Sequence, residues 1–433
     1  MASARAMAVS MLCETFQNNE YTNIVLDKKL KESQLENKDK AFLTMLYYGV
    51  VERKITLDYI ISFFVKKKID DIVRQILRCG IYQIKYMDSV PDNAAVNESV
   101  KLAAKFKKKS AAGFINAVLR NFIRSGKEIK YPKNRIKMLE VKYSVPEKFI
   151  KHLINDYGEE KTCEFLESTL EKSSIMIRRN IKKGNSADFE KMFKQGELEK
   201  HPQIENCYYL KSGSIQKHPA FKKGYFHVQD AASQLCCMAL DVNSNDKTVY
   251  DVCSAPGGKA FTLAENFNGT LYAWDLYESR VNLIKDGAKR LGLENIKAQA
   301  GDSSSLPENL PLADKILCDV PCSGYGVIGK KPEIKYRDID ENKDLPDIQY
   351  KILQEAARHL KNGGEIVYST CTLSKAENEN NVEKFLAEHK DFKAVNPLPF
   401  FEKTKDMKYV TLFPSMFGSD GFFIAKLQKI KEK

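Results

Sequence analysis

Apolar residues recur at helical spacing through the first 126 positions. Ala41, Leu43, Leu46, Tyr47, Val50 and Val51 make one such face, and Ile69, Ile72, Ile76, Leu77 and Ile81 another. Pro is absent until Pro91, and Gly80, Ser89-Val90-Pro91-Asp92 and Ser110 mark interruptions. A further helix is expected over Ala111–Phe122. The pattern predicts an all-α bundle over residues 1–130. Residues 127–145 are polar and punctuated by Pro132, with Pro146 just beyond, and read as a linker. Residues 131–223 as a whole read as a small α+β adaptor. Val145-Pro146 opens one helix and a second runs over about 159–169. Ser174–Asn180 and Cys207–Leu210 read as strands. The adaptor carries no nameable chemistry.

From Gly224 to the end, over 224–433, the period changes. Strands are expected near Val249, Leu271, Ile296, Ile316 and Ile366, and helices near Ala260, Ser279, Tyr350 and Asn378. This alternation predicts an α/β, doubly wound, Rossmann-like domain with its ligands at the carboxyl ends of the strands. Gly421–Leu427 reads as a further strand. The centre of the pattern is Asp251-Val252-Cys253-Ser254-Ala255-Pro256-Gly257-Gly258-Lys259, a Gly-rich turn between a strand and a helix. Backbone N–H groups at such a turn attract polar or anionic ligand groups. The next strand ends in Asp275, at the distance expected of a ribose-binding acid.

Three further strand ends carry chemistry. They supply Asp302, then Asp319 and Cys322, then Cys371. Asp275 suits ribose hydroxyls and Asp302 an adenine amino group. Lys259 is not followed by Ser or Thr, so no Walker A motif is present. A phosphate-rich cofactor is disfavoured, and S-adenosylmethionine fits better. A cysteine at a strand end in a basic protein is a plausible activated nucleophile. Attack of a thiol on C6 of a pyrimidine makes C5 nucleophilic toward a methyl donor, after which a base must remove the C5 proton. Cys322 and Cys371 both qualify, and the residues alone do not rank them. Cys318, inside a strand, reads as an apolar core residue.

Composition narrows the partners. The formal net charge of the 433 residues is +12. Residues 1–130 hold 23 Lys+Arg against 14 Asp+Glu, or +9 of that total, including Lys66-Lys67-Lys68 and Lys107-Lys108-Lys109. This concentration favours RNA as the partner of the helical domain. No run approaches the ~20 apolar residues of a membrane span. Nothing at the N-terminus reads as a signal peptide. The ten cysteines form no CxxC pair and have no His partners at zinc spacing, so no metal is expected. Reduced thiols in a cytoplasm and a monomeric protein are the expectation.

Two stretches of the helical part, Asp92-Asn93-Ala94-Ala95-Val96-Asn97-Glu98 and Gly113–Arg120, resemble the NusB-like RNA-binding domain. Asp251–Lys259, Asp319-Val320-Pro321-Cys322-Ser323-Gly324 and Tyr368-Ser369-Thr370-Cys371-Thr372 resemble the motifs of RNA cytosine-5 methyltransferases. The resemblance covers nearly the whole chain and is weakest over 127–225. It implies that Cys371 is the nucleophile and that Cys322 serves product release. It also implies a cofactor site made of Cys253, Ser254, Ala255, Pro256, Gly257, Gly258, Lys259, Asp275, Asp302 and Asp319. The implied substrate is one cytosine of 16S ribosomal RNA. Gly329 and Lys330 stand where the family usually has arginine, and Ser254 where it commonly has alanine. The alternatives are the same chemistry on tRNA or another rRNA, or an inactive RNA-binding assembly factor. The presence of both thiols and all three acids argues against the last.

Overall fold

The computed structural model describes residues 3–18, 20–171, 174–213 and 215–431. By its contacts the chain divides into two units. The first is Met1–Leu170 together with Ile328–Ile339; the second is Glu171–Val327 with Asp340–Lys433. Residues 131–170 therefore fall with the helical unit and 171–223 with the second. The twelve residues 328–339, well inside the methyltransferase-like stretch, belong to the helical unit.

In the first unit, α1 (Ala4–Asn18), α2 (Thr22–Glu32), α3 (Asn37–Glu52), α4 (Lys54–Phe64), α5 (Asp71–Tyr86), α6 (Asp92–Lys105) and α7 (Ala112–Arg124) surround one apolar core. The expected faces do the burying. Of the face expected in α3, Leu43, Leu46, Tyr47, Val50 and Val51 are inside and Ala41 is exposed. Asp70 caps α5 by accepting from the N–H groups of Ile72 and Val73, as a short acid before an apolar run should. The linker expected at 127–145 instead contains α8 (Arg135–Tyr143), followed by α9 (Glu147–Tyr157) and α10 (Glu159–Ser168). Asn134 caps α8 by accepting from Lys137 N at 3.0 Å, and Leu139, Val141 and Tyr143 are buried. Its five apolar residues, Ile136, Met138, Leu139, Val141 and Tyr143, nearly alternate with four charged ones, which hides the helical period, and tertiary burial decides such a helix.

The 328–339 segment is anchored in this unit by polar groups. Tyr336 hydroxyl donates to Val51 O at 2.7 Å and stands 2.9 Å from Ser144 Oγ. Glu333 accepts from Thr22 Oγ1 at 2.8 Å. Lys335 is 2% exposed and donates to Glu52 O at 2.8 Å. Burial pushes the Lys335 amine down to about 7.

The second unit has two sheets. β1 (Ile175–Arg179), β2 (Leu198–Lys200), β3 (Cys207–Leu210) and β4 (Phe226–Val228) form an antiparallel sheet in the order β2-β3-β1-β4. The stretch from Gly224, expected to open the last domain, thus gives its strand to the small sheet. The large sheet holds β5 (Thr248–Asp251), β6 (Thr270–Asp275), β7 (Ile296–Ala300), β8 (Ala313–Asp319), β9 (Leu360–Thr370), β10 (Phe392–Val395), β11 (Val410–Leu412) and β12 (Phe422–Lys429). Its order is β10-β12-β9-β8-β5-β6-β7, with β11 on β12. β5 to β9 pair in parallel, while β12 pairs antiparallel with β9, β10 and β11. From β5 the chain winds outward to β6 and β7, then returns to β8 and β9 on the other side. The carboxyl ends of β5 and β8 are therefore the switch point where a doubly wound sheet leaves a crevice. A buried Arg178–Glu265 ion pair, 3.3 Å, joins the small sheet to the helix Gly258–Ala264 after β5.

The Lys335 site has a pH signature. Its amine binds a proton less readily folded than unfolded, so stability should rise as pH increases from about 7 toward the ordinary lysine range, and the penalty is fully present below that window. Chemical denaturation at several pH values should show that rise, and Lys335→Met should flatten it. Equal slopes in the two proteins would refute the buried ammonium.

Candidate active site

The loop after β5 is fixed by backbone groups before any ligand is considered. Ser254 N donates to Trp274 O at 2.7 Å and Gly257 N to Ser254 O at 2.8 Å. Gly257 has φ +108°, and a Cβ there would strike the Phe261 ring, so the position needs glycine. Asp275, 4% exposed, accepts from Ala255 N at 3.2 Å and from Tyr277 N at 3.4 Å. Arg280 lies 3.3 Å from Asp275 Oδ1 and donates to Ala255 O at 2.8 Å. The loop and the acid after β6 are thus tied together.

Beside them is a cavity of about 420 Å³. Of the residues singled out in the sequence, Cys253, Ala255, Asp275, Asp302, Asp319, Cys322 and Cys371 line it. Ser254, Pro256, Gly257, Gly258 and Lys259 belong to the same loop but do not line the cavity. Asp302 is exposed, and the Ser304 N–H and hydroxyl hold its carboxyl below the usual range. Leu276, Tyr277, Arg280, Ile348 and Ile352 also line the wall and were not singled out in the sequence. Leu276 and Tyr277, 57% and 59% exposed, offer apolar surface directly after Asp275. Being adjacent to the strand-end acid was the only signal for them.

Behind the wall is a charged cluster. Lys259 Nζ sits 2.7 Å from Asp319 Oδ2, and Ser369 hydroxyl donates to Asp319 Oδ1 at 2.8 Å. Burial alone would lower the Lys259 amine; the Asp319 carboxylate outweighs it and holds the ammonium well above the usual lysine range. Asp251 is fully buried, and its carboxyl oxygens fall short of good hydrogen-bond geometry, with the Ser254 hydroxyl and Cys253 N–H giving only partial support. Burial, and then the charge of Asp319, push it up to about 7. The Cys253 thiol is pushed far up by burial and then by Asp251, Asp319 and Asp275. That environment disfavours a thiolate at Cys253.

The two remaining thiols meet. Cys322 Sγ is 3.1 Å from Cys371 Sγ. β8 pairs with β9 so that Asp319 faces Ser369, and each cysteine lies just beyond its strand end. Gly326 N donates to Cys371 O at 3.0 Å, and Gly421 N to Gly326 O at 3.0 Å. A Cβ on Gly326 would collide with the Gly421 carbonyl, which explains a glycine at this close approach. The Cys322 thiol is pushed well above the usual range, first by its hydrogen bond to Cys371, then by burial and the charges of Glu377 and Asp319. Cys318 is fully buried in β8. Among the described residues, no cluster of three or more His, Cys, Asp or Glu could hold a metal ion, and no helix is long and apolar enough to cross a membrane.

Known proteins share both the sequence and the fold. Residues 237–428 match the family model described as 16S rRNA methyltransferase RsmB/F, residues 2–124 the NusB family, and residues 145–231 the N-terminal domain of 16S rRNA methyltransferase RsmF. The probable ribosomal RNA small subunit methyltransferase B of Bacillus subtilis is 36% identical, covering 99% of both chains. The corresponding probable enzyme of Synechocystis is 32% identical over 99% of this chain and 100% of its own. The crystal structure of PH0851 superposes with a TM-score of 0.80 at 26% identity, covering 99% of this chain and 98% of that one. The fold is that of S-adenosylmethionine-dependent RNA methyltransferases. The cavity fits that cofactor, with a buried acid for a neutral sugar, apolar surface at Leu276 and Tyr277, and no phosphate-binding motif. With a relative more than one third identical along its whole length, this chain belongs to the ribosomal RNA small subunit methyltransferase B family.

Proposed function

We propose that this protein methylates C5 of a cytosine in 16S ribosomal RNA through a bond between Cys371 Sγ and C6 of the base. The observation that carries this reading is the pair of thiols 3.1 Å apart on the wall that also holds Asp275 and Asp302. Cytosine C5 is a poor nucleophile. Addition of the Cys371 thiolate to C6 moves the C5–C6 π pair onto C5 and makes it reactive. S-adenosylmethionine, when bound, supplies the methyl group as an electrophile. The adduct then carries an extra proton on C5. Cys322 takes that proton, the pair re-forms the C5–C6 double bond, and Cys371 leaves as a thiolate. The hydrogen bond to Cys371 is the largest influence keeping a proton on Cys322. Once Cys371 sulfur is a thioether that influence goes; Cys322 then gives up its own proton to solvent, against the remaining burial and the charges of Glu377 and Asp319, and its thiolate is the base that takes the C5 proton.

On this reading the loop Cys253–Lys259 with Asp275, Asp302 and Asp319 holds the cofactor. Asp275 accepts from the ribose hydroxyls and Asp302 from the adenine amino group. Residues 1–130 form the RNA-binding domain, 131–223 the adaptor and 224–433 the methyltransferase domain. The protein acts as a monomer in the cytoplasm. A methylation assay on 16S, 23S and transfer RNA fragments, with the modified base identified by mass spectrometry, tests the substrate and the position together. Methylation of tRNA alone, or of no RNA, would overturn it.

Cys371→Ala should abolish methyl transfer while cofactor binding stays nearly intact. Turnover above a few per cent of the parent would remove Cys371 as the nucleophile. Cys322→Ala should instead trap a protein–RNA adduct that survives denaturing electrophoresis, and the double variant should show none.

Asp275→Ala should weaken S-adenosylmethionine binding by roughly 1–3 kcal/mol, the effect of losing a buried acceptor. Calorimetric titration reads this directly, and unchanged affinity would separate Asp275 from the ribose.

Lys67, Lys107 and Lys109 are exposed on the helical unit. Reversing all three to Glu should weaken rRNA binding and make it less salt-dependent, since each phosphate contact contributes about 0.7–0.9 to the logarithmic salt slope. Deleting residues 1–126 is a poorer test because it would uncover Tyr336 and Lys335. An unchanged slope in the triple variant would mean that this charge only solubilises.

A further inference from the structure

The Glu377 side chain has no role in the mechanism above, yet it is 3% exposed and fully engaged. Its Oε1 accepts from Ser323 hydroxyl at 2.6 Å. Its Oε2 accepts from Ser323 N at 3.0 Å and from Gln349 Nε2 at 2.9 Å. These three donors are neutral, so the carboxylate is held by hydrogen bonds. Buried acids of this kind are retained where geometry matters, because leaving the donors unpaired would be expensive.

The partners show which geometry is involved. Ser323 follows Cys322, and its hydroxyl lies 2.6 Å from the hydroxyl of Thr372, which follows Cys371. Since Ser323 donates to Glu377, it accepts from Thr372, and this fixes the proton order along the chain Thr372, Ser323, Glu377. Gln349 Nε2 also donates to Pro321 O at 2.9 Å, on the other side of Cys322. Tyr368 hydroxyl donates to Glu377 O at 2.5 Å, and Asn381 donates to Gln349 Oε1 at 3.2 Å. One acid therefore fastens both neighbours of Cys322 and the neighbour of Cys371.

We propose that Glu377 is a positioning residue: through Ser323, Thr372 and Gln349 it holds the two cysteine loops together and sets the approach of the thiols. The proposal rests on the reading that both cysteines take part in the reaction. Glutamine at 377 keeps the same contacts without the charge, because its amide can donate to Ser323, whose hydroxyl then donates to Thr372. Alanine removes contacts and charge together.

The test compares Glu377→Gln and Glu377→Ala in the full-length protein. Iodoacetamide labelling of Cys322 and Cys371 is followed against pH by peptide mass spectrometry, without RNA. Turnover and cofactor affinity are measured alongside. Labelling of Cys322 should begin at lower pH in both variants, since each removes a negative charge beside the thiol. Turnover should fall by about ten-fold or more in Glu377→Ala, the equivalent of one lost buried hydrogen bond, with cofactor affinity little changed and with substantial recovery in Glu377→Gln. Parent turnover in Glu377→Ala would overturn the proposal. So would an unmoved labelling profile in Glu377→Gln, and that measurement stands even if Glu377→Ala does not fold. Because labelling needs no RNA, failure of the cytosine-C5 reading would show separately, as a parent protein that does not methylate cytosine.

Discussion

Parallel pairing of β8 with β9, with Asp319 opposite Ser369, is the constraint on which the site depends. A one-residue slip would turn every side chain to the opposite face of the sheet. Asp319 would lose Ser369, and the cysteines beyond the strand ends would no longer meet. The register is secured on both sides. β5 lies against the other edge of β8, and β12 against the other edge of β9. The Gly326–Cys371 backbone bond then locks the turn after β8 against the turn after β9, and the Gly421–Gly326 bond ties it to the start of β12. Two glycines meet where any side chain would force the loops apart.

The electrostatics of the cavity follow from which groups are buried. Asp251, Asp275 and Asp319 all act on the Cys253 thiol, while Lys259 pairs with Asp319 and Arg280 with Asp275. Lys259 is committed to Asp319, and Asp251 is left with only weak support from Ser254 and Cys253. Burial at Cys253, and the hydrogen bond to Cys371 followed by burial at Cys322, raise these thiols, and the neighbouring carboxylates add to the effect. Activation of a thiolate here must therefore come from a specific partner. The sulfur 3.1 Å away is the one the geometry offers.

The helical unit shows how a motif can serve two places. Ile328–Ile339 follows the Cys322 loop in sequence, yet its side chains complete the helical core and its polar surroundings. Tyr336 and Lys335 donate to the Val51 and Glu52 carbonyls at the C-terminal end of α3, where intrahelical donors run out. At the start of this segment Gly329 lies against the Thr169 backbone.

Local pattern alone identified much of the protein. Each strand of the alternation from Val249 to Ile366, the Gly-rich turn, and each acid or thiol at its strand end is written within a few consecutive residues. Periods of two and 3.6 are local properties, so the α/β domain, the helical bundle and most candidate residues were legible. The motifs added the order of the two cysteines. Other features were settled only by distant contacts. The helix Arg135–Tyr143 depends on burial that its charged sequence does not announce. The helix Ala231–Leu240 is apolar on nearly every side and so shows no face, and Phe226–Val228 joins the small sheet because β1 is there to pair with it. Glu377 looked like one acid in a polar run, Ala376-Glu377-Asn378-Glu379, until Ser323, 54 residues earlier, was found on its carboxylate. Sequence fixes which groups exist and in what local conformation. Which of them share a buried hydrogen bond is a long-range property, decided only when the sheet closes and water is excluded.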